Sequence, residues 1–140
     1  MNNSNQTITV ETTVKAPISK VWQSFTEPEH AMNWSFASED WHAPEAENDL
    51  RVGGKFRTKM AAKDGSMAFD FEGEYTNVVN HQKIEYVMGD GRSVSIAFED
   101  LGNGVKVSET FDPENTHPIE FQKAGWQAIM DNFKKYTETL

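Results

Sequence analysis

The sequence predicts an α+β protein in which a curved antiparallel sheet of six or seven strands wraps on a long C-terminal helix. Three observations carry this. From Pro118 to Leu140, helical spacing puts Gln122, Trp126, Ile129, Met130, Phe133, Tyr136 and Leu140 on one stripe, opposite Lys123, Gln127, Asp131, Lys134, Lys135 and Glu138. From Lys55 to Phe111, alternating runs separated by turn signals gather the apolar residues on one face. A sheet greasy on one side needs a cover, and the closing helix, about six turns long, is the element long enough to supply it.

In chain order, Met1 to Gln6 is polar and is expected to be a frayed tail of one domain spanning 1–140. Thr7 to Lys15 alternates Ile8, Val10, Thr12 and Val14 with polar residues, the pattern of a half-buried strand. Pro17 opens a short helix with Ile18, Val21, Trp22 and Phe25 inward, and Pro28 is expected to stop it. Pro28 to Ala43 has no clear period and reads as a loop presenting Trp34 and Trp41. Pro44 to Leu50 reads as a short acidic strand, and Val52-Gly53-Gly54 as a turn.

Asp64-Gly65 is a strong hairpin signal. As a two-residue loop it sets Lys59 opposite Asp70, Arg57 opposite Glu72 and Lys55 opposite Glu74, with Met60, Thr58 and Phe56 facing Phe69, Phe71 and Gly73 on the other side. A two-residue loop at Asn80-His81 puts Tyr75 opposite Tyr86 and Asn77 opposite Ile84. A three-residue loop, Gly89-Asp90-Gly91, sets Tyr86 against Val94 and Ile84 against Ile96. Asn103-Gly104 then closes a hairpin that faces Phe98 towards Glu109 and Ile96 towards Phe111. The last helix starts at Pro118, with His117 as N-cap and Glu120 in the first turn, where a carboxylate suits the dipole.

Composition narrows the function. The formal net charge is -9, with 13 Lys and Arg scattered among 22 acids, so neither a nucleic-acid backbone nor an anionic membrane surface finds a basic patch. Cysteine is absent, which removes disulfides, thiol nucleophiles and thiolate metal sites. No apolar run suits membrane insertion and the start lacks a signal pattern, so a cytoplasmic location is expected. His30, His42, His81 and His117 show no ligand spacing, and neither a phosphate loop nor a nucleophile elbow occurs. No metal, cofactor or catalytic constellation is expected. A homodimer is compatible with the sequence.

One residue breaks the apolar face. Glu109 lies between Val107 and Phe111 in either plausible register of the final hairpin. A carboxylate facing a core must be paired, hydrogen-bonded or protonated. It is a candidate ligand anchor or general acid/base; otherwise it is a structural acid bonded to Tyr86, Trp126 or Arg92, or tilted to the rim. Gln122, polar on the inner stripe, meets Glu109 across the interior or else bonds a strand end. Gly125 costs about 1 kcal/mol relative to Ala in mid-helix and allows either close approach to the sheet or space for a ligand. Trp34, Trp41, Phe56, Phe71, Tyr75, Tyr86, Phe98, Phe111 and Trp126 are candidate pocket aromatics, although aromatics at this spacing also build cores.

The order of elements resembles the helix-grip fold of the SRPBCC (START-like, birch-pollen-allergen-like) superfamily. Ala16-Pro17-Ile18-Ser19-Lys20-Val21-Trp22, Asp49-Leu50-Arg51-Val52-Gly53-Gly54-Lys55-Phe56, Gly73-Glu74-Tyr75, Phe111-Asp112-Pro113-Glu114 and Gly125-Trp126-Gln127-Ala128-Ile129 are similar to the branch containing the C-terminal domain of the heat-shock chaperone ATPase activator. The resemblance implies a cavity between sheet and helix that accepts a small hydrophobic molecule, and it transfers no catalytic residue. Binding of an apolar or aromatic ligand is therefore the leading expectation. The rivals are a cyclase- or hydrolase-like enzyme using Glu109 and a protein-interaction or chaperone-associated module, with a stress role, using the outer sheet face or the Trp34–Trp41 loop.

Overall fold

Alternating β-branched residues make Ile8–Val14 (β1) a strand that buries Ile8, Val10 and Val14 and leaves Thr9, Glu11 and Thr13 in solvent. The computed structural model describes residues 6–140, so the expected tail lies, Gln6 apart, outside the described residues. Ile18–Thr26 (α1) follows with Pro17 as its N-cap, burying Val21 and Trp22. Pro28 ends α1 but also opens a further short helix, Pro28–Ala31 (α2), because the first helical position has no need of an N–H.

The segment expected to be a loop is thus partly helical, and the next strand, Trp41–Asn48 (β2), starts three residues before Pro44. Proline is tolerated because β2 is an edge strand and Pro44 falls in the register shift between His42 and Glu45. The remaining strands are Lys55–Ala62 (β3), Ala68–Val79 (β4), Lys83–Met88 (β5), Ser93–Asp100 (β6) and Val105–Phe111 (β7). They form one antiparallel sheet in the order β1-β7-β6-β5-β4-β3-β2.

The β3–β4 register is as expected: Lys55, Arg57 and Lys59 oppose Glu74, Glu72 and Asp70. The ion pairs are different. Arg57 reaches diagonally to Asp70 at 3.3 Å and to Glu45 at 3.2 Å, and directly across to Glu47 at 3.5 Å, because sheet twist and the acidic edge strand bring these carboxylates to it. Tyr75 opposes Tyr86, but a bulge at Thr76 then sets Asn77 against Glu85 and Val78 against Ile84. The turn absorbs the extra residue with His81 at φ 65. Tyr86 faces Val94 and Ile84 faces Ile96 as expected. The last hairpin is two residues out of the expected register: Phe98 faces Val107 and Ile96 faces Glu109. A shift of two keeps every side chain on its face.

Ile119–Thr137 (α3) begins after Pro118, whose extended backbone (ψ 149) makes it the N-cap in place of His117. The helix buries Gln122, Met130, Phe133 and Thr137. Leu140, expected on that stripe, lies beyond the helix end and is 43% exposed. Thr137 occupies the buried position instead, its hydroxyl 2.7 Å from that of Ser24 on α1. The backbone of α3 approaches the sheet most closely at β1 and also packs on α1. The tightest core, including Val10, Val14, Val107, Phe111 and Phe133, sits on that side. Phe69, expected under cover, is 49% exposed at the other end, with the ring of Trp41 5.9 Å away.

Candidate functional site

Between the concave face of the sheet and the three helices lies a cavity of about 300 Å³. Phe56, Phe71, Tyr75 and Tyr86 project into it from β3, β4 and β5, Trp126 from α3, and Trp34 from the turn after α2. Gly73 sets part of this wall. A Cβ there would lie 2.9 Å from Phe56 Cε1 and 3.0 Å from Tyr86 Cδ1; without one, the two rings close to 4.7 Å, edge to face. Trp126 lies flat on Phe111, with ring centres 3.7 Å apart, and this contact orients it against Phe71. Gly125 makes no close approach to the sheet: a Cβ there meets nothing within 4 Å.

Most polar atoms around the cavity are already bonded. The Tyr75 hydroxyl donates to Asn48 Oδ1 at 2.6 Å, and Asn48 Nδ2 donates to the Thr26 carbonyl at 2.6 Å. Trp34 Nε1 donates to the Ser24 carbonyl at 2.9 Å. Arg92 lines the wall yet spends Nε on Asp90 Oδ2 at 2.8 Å and Nη1 on the Asp112 carbonyl at 3.4 Å.

Glu109 is different. It stands on β7 between Val10 and Ile96 of the flanking strands, both fully buried. No hydrogen bond or ion pair reaches its carboxyl among the described residues, and what surface it keeps faces the cavity it lines. Burial alone pushes that carboxyl up to about 8, with no neighbouring charge or hydrogen bond offsetting it. The Tyr86 hydroxyl is raised well above its ordinary value, first by burial and then by the Glu109 charge, with Arg92 pulling the other way. Tyr86, Trp126 and Arg92, its prospective structural partners, therefore do not bond it.

Seven of the residues singled out in the sequence line the cavity: Trp34, Phe56, Phe71, Tyr75, Tyr86, Glu109 and Trp126. Four do not. Phe98 packs on Trp22 and Phe25 in the core, and Phe111 lies behind Trp126. Trp41 belongs to β2, beside Phe69. Gln122 is turned to the β7–α3 connection: its Oε1 accepts from Glu114 N at 2.9 Å and its Nε2 donates to the carbonyls of His117 at 2.7 Å and Glu114 at 3.1 Å. Arg92, Asn48, Thr58 and Met60 line the cavity without having been singled out. The β3–β4 and β5–β6 registers already put Thr58, Met60 and Arg92 near this face; nothing in the sequence marked Asn48.

No three His, Asp or Glu residues among those described converge as metal ligands. Among the described residues, no helix is long and apolar enough to cross a membrane.

Comparison with known proteins gives a consistent picture. A sequence profile described as Activator of Hsp90 ATPase homolog 1-like protein matches residues 15–138. The chain is similar to the solution NMR structure of an AHSA1-like protein from Aeromonas hydrophila, 43% identical over 96% of this chain and 93% of that one, with TM-score 0.90. It is also similar to a protein of Cytophaga hutchinsonii, 55% identical over 94% and 92% of the two chains, with TM-score 0.82. A crystal structure from Nitrosomonas europaea, 17% identical over 99% and 98%, shares the fold with TM-score 0.84. No functionally curated protein matches the chain.

Proposed function

The chain belongs to the Activator of Hsp90 ATPase homolog 1-like family, and from that premise we propose that it binds a small apolar or aromatic molecule between the sheet and α3. The family's fold often binds hydrophobic ligands, which supports this reading. The observation that carries the proposal is the cavity itself, about 300 Å³ of space walled mainly by rings and aliphatic side chains. Ligand pockets start at about this size, with few polar groups among many apolar ones. Trp34, Phe56, Phe71, Tyr75, Tyr86 and Trp126 supply the contact area, and Glu109 is the polar anchor. An acid/base role for Glu109 has less support. A working base needs a partner that orients it, and Glu109 has none among the described residues.

The test combines native mass spectrometry of the purified protein with a titration by the neutral fluorophore N-phenyl-1-naphthylamine. A retained small molecule, or saturable one-to-one enhancement abolished in Ile129→Trp, is expected, since a tryptophan at that lining position fills the space. Circular dichroism checks that the variant keeps its fold. Absence of saturable binding, or binding indifferent to Ile129→Trp, would contradict the proposal.

A further inference from the structure

We infer that the cavity selects an amphipathic cation, an ammonium head on an apolar body, with Glu109 as its counter-ion; this rests on the binding role proposed for the same cavity. Glu109 is an acid aimed at the ligand space with no partner of its own. Glu47, the other acid at the wall, is an exposed residue whose carboxylate sits 3.5 Å from Arg57 in the ion-pair cluster of β2 and β3. Arg92, the cation at the wall, is held by Asp90 and the Asp112 carbonyl, and leaves the Glu109 carboxyl uncompensated.

Phe71, Tyr86 and Trp126 line the same space. Trp126, stacked on Phe111 and edge to face with Phe71, is held there as part of the wall. Ring faces attract an ammonium, most strongly when both are out of water. The net charge of -9 raises the local concentration of cations as well. A carboxylate ligand, in contrast, finds the one guanidinium of the wall, Arg92, already paired with Asp90, and keeps Glu109 from ionising beside it.

Binding then carries a proton stoichiometry. The titratable and charged groups that line the cavity with Glu109 are Arg92 from the β5–β6 turn, Tyr86 from β5, Tyr75 from β4 and Glu47 from β2, the last engaged with Arg57, while β1, β6 and α3 present Val10, Ile96, Trp126 and Met130 around Glu109. In the empty cavity at neutral pH the Glu109 carboxyl is mostly protonated. When the ammonium enters, Glu109 ionises, its proton leaves to solvent, and the ion pair remains.

The experiment is calorimetry at pH 7, in two buffers of different ionisation enthalpy, with three ligands that share one body. These are (2-naphthylmethyl)trimethylammonium, 2-naphthylmethanol and 2-naphthoate. The ammonium is expected to bind about tenfold more tightly than the alcohol, with the carboxylate weakest and roughly one proton released per ammonium. Glu109→Gln should remove most of the ammonium's advantage, leaving only what the rings contribute, while keeping the alcohol within about threefold of its original value. A carboxylate that binds as well as the ammonium, binding without proton release, or a preference undiminished in Glu109→Gln would each overturn the inference. If the alcohol binds and the ammonium does no better, the inference falls and the apolar-ligand reading stands. If none of the three binds, both fall.

Discussion

Glu109 is held in the fold at a cost. Its folded value of about 8 lies above the ordinary 4.5. Between those limits the native state binds more protons than the unfolded chain, so stability falls as pH rises through that window and is level above it. At about 1.36 kcal/mol for each pH unit between the two values, the loss amounts to a few kcal/mol. Thermal unfolding followed from pH 5 to 9 should decline more steeply for the native protein than for Glu109→Gln, with the variant the more stable at pH 9. Equal slopes would show that Glu109 is not the group responsible. Its prominence in the sequence has a simple origin: which face a strand residue occupies depends on parity, and parity survives the two-residue error in the β6–β7 register. Gln122 shows the opposite case. Its inward position on the helix was legible, but its bonds run to Glu114 and His117, whose carbonyls only the path of the connection brings within reach.

Two small features act at the scale of elements, one away from the cavity and one in its wall. Gln122 ties the β7–α3 connection to the helix with three hydrogen bonds. Gln122→Ala should cost about 1–3 kcal/mol in urea unfolding, since it strands backbone groups, while the affinity for N-phenyl-1-naphthylamine stays unchanged. A large loss of affinity would return Gln122 to the site. Gly73→Ala should act on both quantities. Its Cβ would press on Phe56, Tyr86 and the Val87 carbonyl at 2.9–3.0 Å, so the same assays should show about 1–3 kcal/mol lost and weaker probe binding. Hairpin registers were readable where turn chemistry is local, as at Asp64-Gly65, whose glycine has φ 79. The β4–β5 pairing was readable at Tyr75–Tyr86 but not between Thr76 and the turn, because the bulge at Thr76 and the turn at His81 compensate one another and leave no mark in composition.

For the whole molecule, an occupied cavity is a stability term. A ligand that binds only the folded state adds about 2.7 kcal/mol at a hundred times its Kd. A chain of 140 residues should then gain roughly 10 °C in Tm. Differential scanning calorimetry with N-phenyl-1-naphthylamine should show a rise with concentration in the native protein and none in Ile129→Trp. A rise of equal size in both would place the probe elsewhere. The molecule can hold such a space because α3 rests on β1 and α1 while the rings of β3, β4 and β5 stand on the same concave face, farther along the sheet.

The sequence by itself determined the α+β class, the greasy side of the sheet, the covering helix and the place where an acid interrupts that side. All of these follow from periodicity and turn chemistry, which act over a few residues. Only the tertiary structure decided that Phe71 and Tyr86 line space while Phe98 and Phe111 fill it, that Arg92 is drawn away by Asp90, and that Glu109 has no partner. A cavity is the small difference between the volume that two curved surfaces enclose and the volume that their side chains occupy, and no local pattern encodes that difference.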